Sequence, residues 1–404
     1  MTHYSPPYSL EQPNGYYIYY DQENNIRRLL DSEGKNFLKK DFRYVELLHH
    51  ANVFVCRLPG SSVIYDVMRK ETTEVPYEFI KIDKFGHKMY SDNQTNFGLL
   101  DEYYEPVTTI IRGHFMDGVA PGLLKYYQDN NWHLINGRGN YIMDGLLWLS
   151  PCPINDKTLV RFTDKTFALI DSRGIIATRL PYQDVRINAP YNEVNEDTRP
   201  KYYIAGIETG EFLQGTQEPK MIFTILDGEG RAMFEPCYDY ITCFRPDDPD
   251  TFMVGMGDIQ DWAYLTSEPS DTSPVLTGNM RYGVINAQNL VIIPMNYSSI
   301  SRSLSMPFYR VGQQGRVKVI DGNEYDYHYD EDDQYWDWEI EGERFGLLSL
   351  DGQSMLPVEY SFLSSTLKNN GQIDYYTAIR NEGDAPLYLD PDGKPMATPP
   401  EALT

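Results

Sequence analysis

The chain has 404 residues, of which 41% are hydrophobic, so it can bury a sizeable core. It carries 35 Lys and Arg against 59 Asp and Glu, a net charge of −24, which argues against phosphate backbones and anionic membranes as partners. We therefore expect a basic protein partner, no nucleic acid and no membrane insertion. The alternative is that the acidity only keeps the protein dispersed in solution.

The sequence also bears on the compartment. The four cysteines form no Cys-x-x-Cys pair, and the first residues, MTHYSPPYSLEQPNG, have neither the basic nor the apolar region of a secretory signal. No stretch approaches eighteen consecutive apolar residues. We expect a bacterial, cytoplasmic protein.

Loose internal repeats dominate the organisation of the chain. Each copy begins with an aromatic residue, a small residue and two aliphatic residues, and continues with Asp or Asn and a Gly two or three positions on. This pattern predicts a strand, a tight turn and a second strand, and a further strand precedes several copies. Each unit is therefore predicted to be a three-stranded meander. The copies lie at 27–45, 62–80, 96–110, 131–142, 166–185, 221–241, 281–297, 344–360 and 386–396.

These units predict an all-β fold. No convincing helical periodicity occurs, and a lone meander cannot bury its apolar face, so neighbouring units must stack. We expect a tandem array of about nine three-stranded β-meander or hairpin repeats, open and solenoid-like, with a closed β-propeller as the alternative. The predicted boundaries are a lead-in over 1–24, a single array over 25–396 and a tail over 397–404, with inserted loops at 188–201, 257–280 and 315–343.

The repeat resembles the WG (KWG) β-repeat of bacterial proteins, over roughly residues 25 to 396. The aromatic–Gly pair survives at Tyr282-Gly283, Phe345-Gly346 and Phe97-Gly98, whereas Trp132 keeps the Trp without the Gly. The resemblance implies an all-β array that binds other molecules. It transfers no catalytic residue to this chain.

Fragments of catalytic and metal-binding motifs occur but are incomplete. Ser32-Glu33-Gly34-Lys35 and Ser91-Asp92-Asn93 match parts of the serine β-lactamase signature, but Gly34 falls on a predicted turn and the Lys-Thr-Gly element is missing. Asp227-Gly228-Glu229-Gly230 and the segment 390–393 resemble calcium loops that lack the terminal Glu. We predict no catalytic residue, no metal ligand, no cofactor and no enzymatic activity. A hydrolase with an unrecognised carboxylate site is the second alternative function.

The most distinctive stretch lies between the strand FYRV and the repeat that begins at Phe345. From Asp321 to Glu343 it carries eleven acidic residues and no Lys or Arg. Aromatic and acidic residues alternate, which predicts a hairpin with its turn at 331–334, one aromatic face and one acidic face. The predicted partner-binding residues are Tyr325, Asp326, Tyr327, Tyr329, Asp330, Asp332, Asp333, Trp336, Asp337, Trp338 and Glu339.

Three interpretations of this stretch are open: an arm that binds a partner, an aromatic face packed on the neighbouring repeat, or a disordered acidic loop. The predicted function is a non-catalytic protein-binding scaffold, an acidic inhibitor or immunity protein that neutralises a bacterial toxin or another basic partner. The alternative is a carbohydrate-binding or cell-envelope-binding module. The sequence does not fix the partner's identity, the binding face or the stoichiometry.

Overall fold

The computed structural model describes residues 9–11, 15–48, 52–91, 96–111, 114–150, 153–187, 200–212, 219–245, 248–257, 259–263, 275–278, 280–302, 308–314, 316–320, 337–368 and 373–397. Within these residues every regular element is a β-strand, so the predicted all-β class is confirmed. In this part of the chain no helix has the length and hydropathy that a membrane span requires. The chain divides into two compact units, Met1–Leu180 and Pro181–Thr404.

The first unit is built from antiparallel sheets in which each strand pairs with its neighbour in sequence. Its strands are β1 (Ser9–Glu11), β2 (Tyr17–Asp21), β3 (Ile26–Leu30), β4 (Tyr44–Leu48), β5 (Val53–Leu58), β6 (Ser61–Asp66), β7 (Glu71–Val75), β8 (Phe79–Ile82), β9 (Lys88–Ser91), β10 (Phe97–Leu100), β11 (His114–Ala120), β12 (Leu123–Gln128), β13 (Asn131–Asn136), β14 (Tyr141–Leu149), β15 (Thr158–Phe162), β16 (Phe167–Ile170) and β17 (Ile176–Leu180). The sheets are β1–β3, β4–β7, β8–β10 and the seven-stranded β11–β17.

The second unit interrupts this simple order twice. Its strands are β18 (Asp184–Ile187), β19 (Tyr203–Phe212), β20 (Pro219–Leu226), β21 (Tyr240–Arg245), β22 (Asp248–Met256), β23 (Ile259–Ala263), β24 (Val275–Gly278), β25 (Arg281–Asn286), β26 (Val291–Tyr297), β27 (Ser299–Ser301), β28 (Phe308–Gln313), β29 (Arg316–Ile320), β30 (Asp337–Glu341), β31 (Arg344–Ser349), β32 (Ser354–Tyr360), β33 (Phe362–Leu367), β34 (Ile373–Ile379), β35 (Leu387–Leu389) and β36 (Pro395–Met396). The main sheets are β18–β19–β20, β21–β22–β25–β26, β27–β28–β31–β32 and β33–β36, while β23–β24 and β29–β30 pair only with each other.

The predicted three-stranded meander describes some of these sheets and not others. Among the described strands, three sheets have three strands, four have four, and one has seven. In each three-stranded sheet an isolated bridge continues the edge, at Leu30–Asn36, Leu100–Pro106 and Leu226–Ala232. The chain therefore starts a fourth strand in these sheets without completing it.

One five-residue turn whose first residue is Asp, Asn or Ser recurs nine times in the described residues, and the same backbone hydrogen bonds occur once more in a turn that begins at Phe162. The amide of its first residue donates to the carbonyl of the fifth, and the amide of the fourth donates to the carbonyl of the first. The first residues are Asp31, Asp83, Asp101, Asn136, Asp171, Asp227, Asn286, Ser349 and Asp390. The fourth residues, which all have positive φ, are Gly34, Gly86, Tyr104, Gly139, Gly174, Gly230, Asn289, Gly352 and Gly393.

The side chain of the first residue closes this turn. In eight of the nine turns its Oδ1 accepts the amides of the third and fifth residues at 2.8–3.0 Å. At Ser349 the shorter hydroxyl accepts only the amide of Gln353. Asp and Asn favour such turns because the side chain replaces a backbone acceptor. The calcium-like fragments at Asp227 and Asp390 and the Ser-x-x-Lys fragment all fall on these turns, as predicted.

The glycine of the aromatic–Gly pair is required by a close backbone approach. A Cβ on Gly346 would lie 2.7 Å from the carbonyl oxygen of Leu356, and one on Gly283 would lie 2.6 Å from that of Ile293. In both sheets the strand register shifts at this point, so the next strand bulges towards the glycine. A side chain at either position would push the two strands apart.

The core of the second unit lies between successive sheets. Phe308 and Tyr309 are adjacent on β28 but belong to different buried clusters, because successive side chains of a strand point to opposite faces. Tyr309 packs with Val284 of the preceding sheet, whereas Phe308 packs with Tyr376 of the following sheet. The sheets therefore stack in chain order with apolar layers between them.

Candidate functional site

Two hairpins are inserted at the same topological position of two consecutive sheets. β23 and β24 lie between β22 and β25, and β29 and β30 lie between β28 and β31. We refer to the segments 257–280 and 315–343 that contain them as the inserted hairpins. β24 contacts β29, so the two inserted hairpins lie side by side. The sequence analysis placed both insertions but did not predict this contact.

Both inserted hairpins carry a net negative charge, and the second is strongly acidic. Residues 257–280 contain four acidic residues and no Lys or Arg, and residues 315–343 contain eleven acidic residues and two basic ones, Arg316 and Lys318. Like charges placed close together repel each other and are stabilised by a partner of opposite charge. The contact between β24 and β29 places two acidic sequence segments side by side, although the two strands in contact, VLTG and RVKVI, carry no acidic residue themselves.

The predicted partner-binding residues lie on or next to the second inserted hairpin. Residues 325–336, which include eight of the eleven predicted site residues, are outside the described residues. The other three, Asp337, Trp338 and Glu339, lie on β30, where their backbones pair with Ile320, Val319 and Lys318 respectively.

The strand pairing corrects one detail of the predicted hairpin. A turn at 331–334 places Asp337 opposite residue 328, but the structure pairs Asp337 with Ile320. The described strand that pairs with β30 is therefore β29, Arg316–Ile320, and the predicted turn at 331–334 lies outside the described residues. Alternation defines which residues share a face, but it does not define which strand lies opposite.

A buried carboxylate fixes the base of this hairpin. The side chain of Glu343, between β30 and β31, is 7% exposed, and its Oε1 accepts hydrogen bonds from the hydroxyls of Ser298 at 2.8 Å and Ser299 at 2.6 Å. Gly312 lies so close to Glu343 that any Cβ at this position would collide with the carboxylate. These contacts hold the hairpin where it leaves the main sheet. Sequence reasoning missed Glu343 because it looked like one more acid in an acidic run.

Net charge is divided unevenly between the two compact units. Residues 1–180 contain 20 Lys and Arg and 22 Asp and Glu, a net charge of −2, whereas residues 181–404 contain 15 and 37, a net charge of −22. If acidity served only to keep the protein in solution, it would have no reason to be confined to one unit. The acidity of the chain is therefore concentrated in the second unit.

The first unit contains a histidine–carboxylate pair that resembles part of a catalytic site. His87 Nδ1 lies 2.7 Å from Oδ2 of the buried Asp83, and the amide of Gly122 donates to His87 Nε2 at 2.8 Å. Because Nε2 accepts a hydrogen bond, Nδ1 carries the proton and donates to Asp83. Burial opposes ionisation of Asp83, but hydrogen bonds from the His87 ring and from the amides of His87 and Phe85 outweigh it and lower the pKa of the carboxyl. Both ring nitrogens are thus engaged in holding the turn at 83–87 to Gly122.

Metal-binding geometry is likewise not found in the described ranges. Nowhere in them do three or more His, Cys, Asp or Glu side chains form a group that could hold a metal ion. Cys56 is buried, and burial raises the pKa of its thiol to about 12, which keeps it protonated and unreactive.

No family model matches this chain, and no curated protein matches it either. Solved structures give low similarity over long stretches. A structure described as the eukaryotic initiation factor has a TM-score of 0.36 and 8% identity over 95% of each chain. BamB from Moraxella catarrhalis has a TM-score of 0.28 and 11% identity over 85% of this chain and 93% of its own, and Hsv2 from Kluyveromyces lactis has 0.27 and 8% over 83% and 97%. With TM-scores below 0.5, these similarities assign neither a topology nor a function.

Proposed function

We propose that the protein is a non-catalytic scaffold that binds a basic protein through its inserted hairpins and inhibits it, as an immunity protein inhibits a bacterial toxin. The observation that carries the proposal is the contact between β24 and β29, which places two acidic insertions side by side in a unit whose net charge is −22. Such a region steers a basic partner towards itself and fixes its register through charge complementarity.

Aromatic residues are interleaved with the acids of both inserted hairpins. Trp262 lies on β23 and Trp338 lies on β30, each one residue from an acidic residue. Aromatic side chains carry much of the binding energy at protein interfaces, because they bury a large area while few rotamers are frozen. We propose that the carboxylates attract the basic partner and that the aromatic rings supply most of the binding energy.

We further propose that the repeats form one WG-like array of about nine units, open and solenoid-like, with a closed propeller as the alternative. Nine turns with the same hydrogen bonds support it, and so does the shared close approach at Gly283 and Gly346. Small-angle scattering separates the two shapes. A compact body of this length has a radius of gyration of about 22 Å, and an open array is expected to exceed it.

The strand pairing defines deletion variants that test the binding site. Gln313 pairs directly with Arg344, and Met256 pairs directly with Arg281, so an Asn-Gly turn that replaces 314–343 or 257–280 joins residues that are already opposite each other. The two deletions also remove the buried side chains of Glu343 and Met280, so the melting temperature of each variant is compared with that of the intact chain. A matched control replaces 213–218 in the same way, because Phe212 pairs with Pro219 at the same step of another sheet. That segment carries one acidic residue, Glu218.

The experiment is affinity capture of partners from the native host with the intact chain and these three variants. We expect a basic protein to be recovered by the intact chain and the 213–218 variant, and to be lost with either inserted hairpin removed. Adding the purified partner should then show that the intact chain inhibits its activity. Equal recovery by all four proteins would overturn the assignment of the site. Specific binding on a glycan array without any protein partner would favour the carbohydrate alternative.

A further inference from the structure

A third hairpin of the second unit leaves its sheet at the same topological position as the two inserted hairpins. It is formed by the far ends of β19 and β20, the second and third strands of the preceding sheet. β18 pairs with β19 only over Tyr203–Gly206, and beyond this point β19 pairs with β20 alone. We refer to the described residues 207–212 and 219–222 as the β19–β20 extension. Three consecutive sheets therefore each send out a hairpin between their second and third strands.

One hydrogen bond marks the base of all three hairpins. In each of these sheets the residue just before the first strand donates its amide to the carbonyl of a glycine on the second strand. The pairs are Gln183 with Gly206 at 3.0 Å, Asp239 with Gly255 at 3.0 Å and Ser298 with Gly312 at 2.9 Å. In the sheets β4–β7 and β33–β36 the same bond goes to Arg57 and Arg380, and the connections to the third strand are short, 59–60 and 380–386. The glycine therefore distinguishes the sheets that carry an outgoing hairpin.

This glycine makes room for a side chain at the returning end of the hairpin. A Cβ on Gly206 would lie 2.7 Å from Cε1 of Phe223, and one on Gly255 would lie 2.8 Å from Sδ of Met280. Gly312 stands in the same relation to Glu343. The β19–β20 extension and the two inserted hairpins are therefore built on the same base.

Asp239 connects the β19–β20 extension with the first inserted hairpin. Its Oδ2 accepts the amide of Gly257 at 2.9 Å, and its Oδ1 lies 3.8 Å from Nζ of Lys220 on β20. The contact between β24 and β29 connects the first inserted hairpin with the second. The three hairpins are therefore linked to one another in chain order within the second unit.

The β19–β20 extension presents an exposed aromatic ring and two acids without a basic partner. Phe212, at the end of β19, is 66% exposed, and Glu208 and Glu211 are exposed as well. In the described part of the chain neither glutamate forms an ion pair, whereas Lys220, the one basic residue of the extension, pairs with Asp239. Both inserted hairpins combine aromatic and acidic residues in the same way.

We propose that the β19–β20 extension is the third arm of one binding surface and contacts the same basic protein as the inserted hairpins. The inference rests on the proposed function, because the partner is the same. Phe212 supplies an aromatic contact, and Glu208 and Glu211 attract Lys and Arg side chains of the partner. The variant that replaces 213–218 keeps all three residues, so it is still expected to bind.

Site-specific photo-crosslinking of the whole chain in its native host tests this surface directly. The photoreactive residue p-benzoylphenylalanine replaces Phe212, Trp338 or Tyr103, one at a time, and mass spectrometry identifies the adducts. Tyr103 is the control because it is an aromatic residue of the first unit with 74% exposure. We expect positions 212 and 338 to form an adduct with the same basic protein, and position 103 to form none with it.

The possible results separate this inference from the proposed function. An adduct at position 338 alone overturns the third arm and leaves the proposed function standing. An adduct at position 212 alone contradicts a surface shared by the hairpins. If neither position forms an adduct with a basic protein, or if position 103 gives an equal yield, both proposals are overturned.

Calorimetry with the purified partner measures what the extension contributes to affinity. Phe212→Ala should weaken binding about tenfold or more, and the pair Glu208→Gln and Glu211→Gln should weaken it less and reduce its salt dependence. Tyr103→Ala is the control and should bind as the wild type does. All four residues are exposed, so the variants should keep the melting temperature of the wild type. Unchanged affinity of both arm variants would overturn the role of the extension.

Discussion

The hydroxyl of Tyr238 donates a hydrogen bond of 2.6 Å to Oδ1 of Asn289, the left-handed residue of the turn at 286–290. Eight of the nine recurring turns place Gly or Tyr at this step, and here the Asn side chain reaches a buried phenol instead. One residue therefore serves both the local backbone and the packing of the turn on the preceding sheet.

Replacing Asn289 tests both roles. Asn289→Ala loses the hydrogen bond and strains a backbone at φ 62°, so we expect a loss of about 2 kcal/mol in the free energy of unfolding. Asn289→Gly loses the hydrogen bond but relaxes the backbone, and should lose about 1 kcal/mol or less. Tyr238→Phe removes the same bond from the other side. Urea denaturation measures all three, and equal losses for Ala and Gly would contradict the assigned strain.

A comparison of Gly352, which lies in a recurring turn, with Gly383, which does not, measures how much the close packing of that turn contributes to stability. Both lie in the second unit, at φ 82° and 87°, but a Cβ on Gly352 would collide with the carbonyl oxygen of Ile292, whereas one on Gly383 would meet open space. Gly383→Ala should cost only backbone strain, about 1 kcal/mol, and Gly352→Ala about 2 to 3 kcal/mol. If the two variants unfold at the same urea concentration, this turn does not need its close contact with the preceding sheet.

The lowered pKa of Asp227 predicts that acid reduces the free energy of unfolding of the second unit. Burial opposes its ionisation, but hydrogen bonds from the amide and side chain of Arg231 and from the amide of Glu229 outweigh it and lower the pKa of the carboxyl. A lowered pKa in the folded state gives stability that is fully present above the unfolded pKa near 4 and is lost as the pH falls through the folded value. Asp227→Asn keeps the amide acceptor, as Asn286 does in its own turn, but loses the charge.

The stability gap between the wild type and Asp227→Asn should therefore be largest at pH 7 and should close below about pH 4. Urea midpoints at pH 7, 4 and 3 measure it. A gap that stays constant over this range would show that the charge of Asp227 contributes nothing to the turn.

Charge neutralisation tests the proposed binding surface without deleting any segment. The combined variant Asp326→Asn, Asp330→Asn and Glu339→Gln should weaken binding of the basic partner and reduce its dependence on salt, because fewer charges attract it. Its control removes three exposed acids of the first unit, Glu23→Gln, Glu71→Gln and Glu102→Gln. Calorimetry at 50 and at 300 mM salt compares them. Equal affinity of both variants and the wild type would exclude electrostatic binding by this hairpin.

Local features of the fold were predictable from the sequence, and pairing between distant segments was not. Asp-x-x-Gly predicts a turn wherever it occurs because both residue types are chemically suited to it, as at Asp31 and Asp171. The copy at 62–80 differs, since Asp66 accepts the amides of Met68 and Arg69 in a turn of another shape.

In the candidate site, too, local features were predictable and the pairing of distant segments was not. Alternating aromatic and acidic residues predict a strand around Trp338, but nothing local identifies Val319 as the residue opposite it. Nor does composition separate Glu343, which is buried and bound by two serines, from the acids beside it. The pairing of Trp338 and the burial of Glu343 both depend on the main sheet. This sheet brings Gln313 and Arg344 together and so determines where the hairpin begins.

The recurring turn has a consequence for how such chains diverge. In the nine copies that begin with Asp, Asn or Ser, two of the five positions are chemically constrained: the side chain of the first supplies an oxygen acceptor, and the fourth must accept a positive φ, which Gly, Asn and Tyr do here. The remaining positions can drift freely, so copies lose residue identity long before they lose their hydrogen bonds. Because only two positions per unit are constrained, and each accepts several residue types, diverged copies share few identical residues. Relatives of this protein are better sought by the spacing of acceptor and left-handed residues than by sequence similarity.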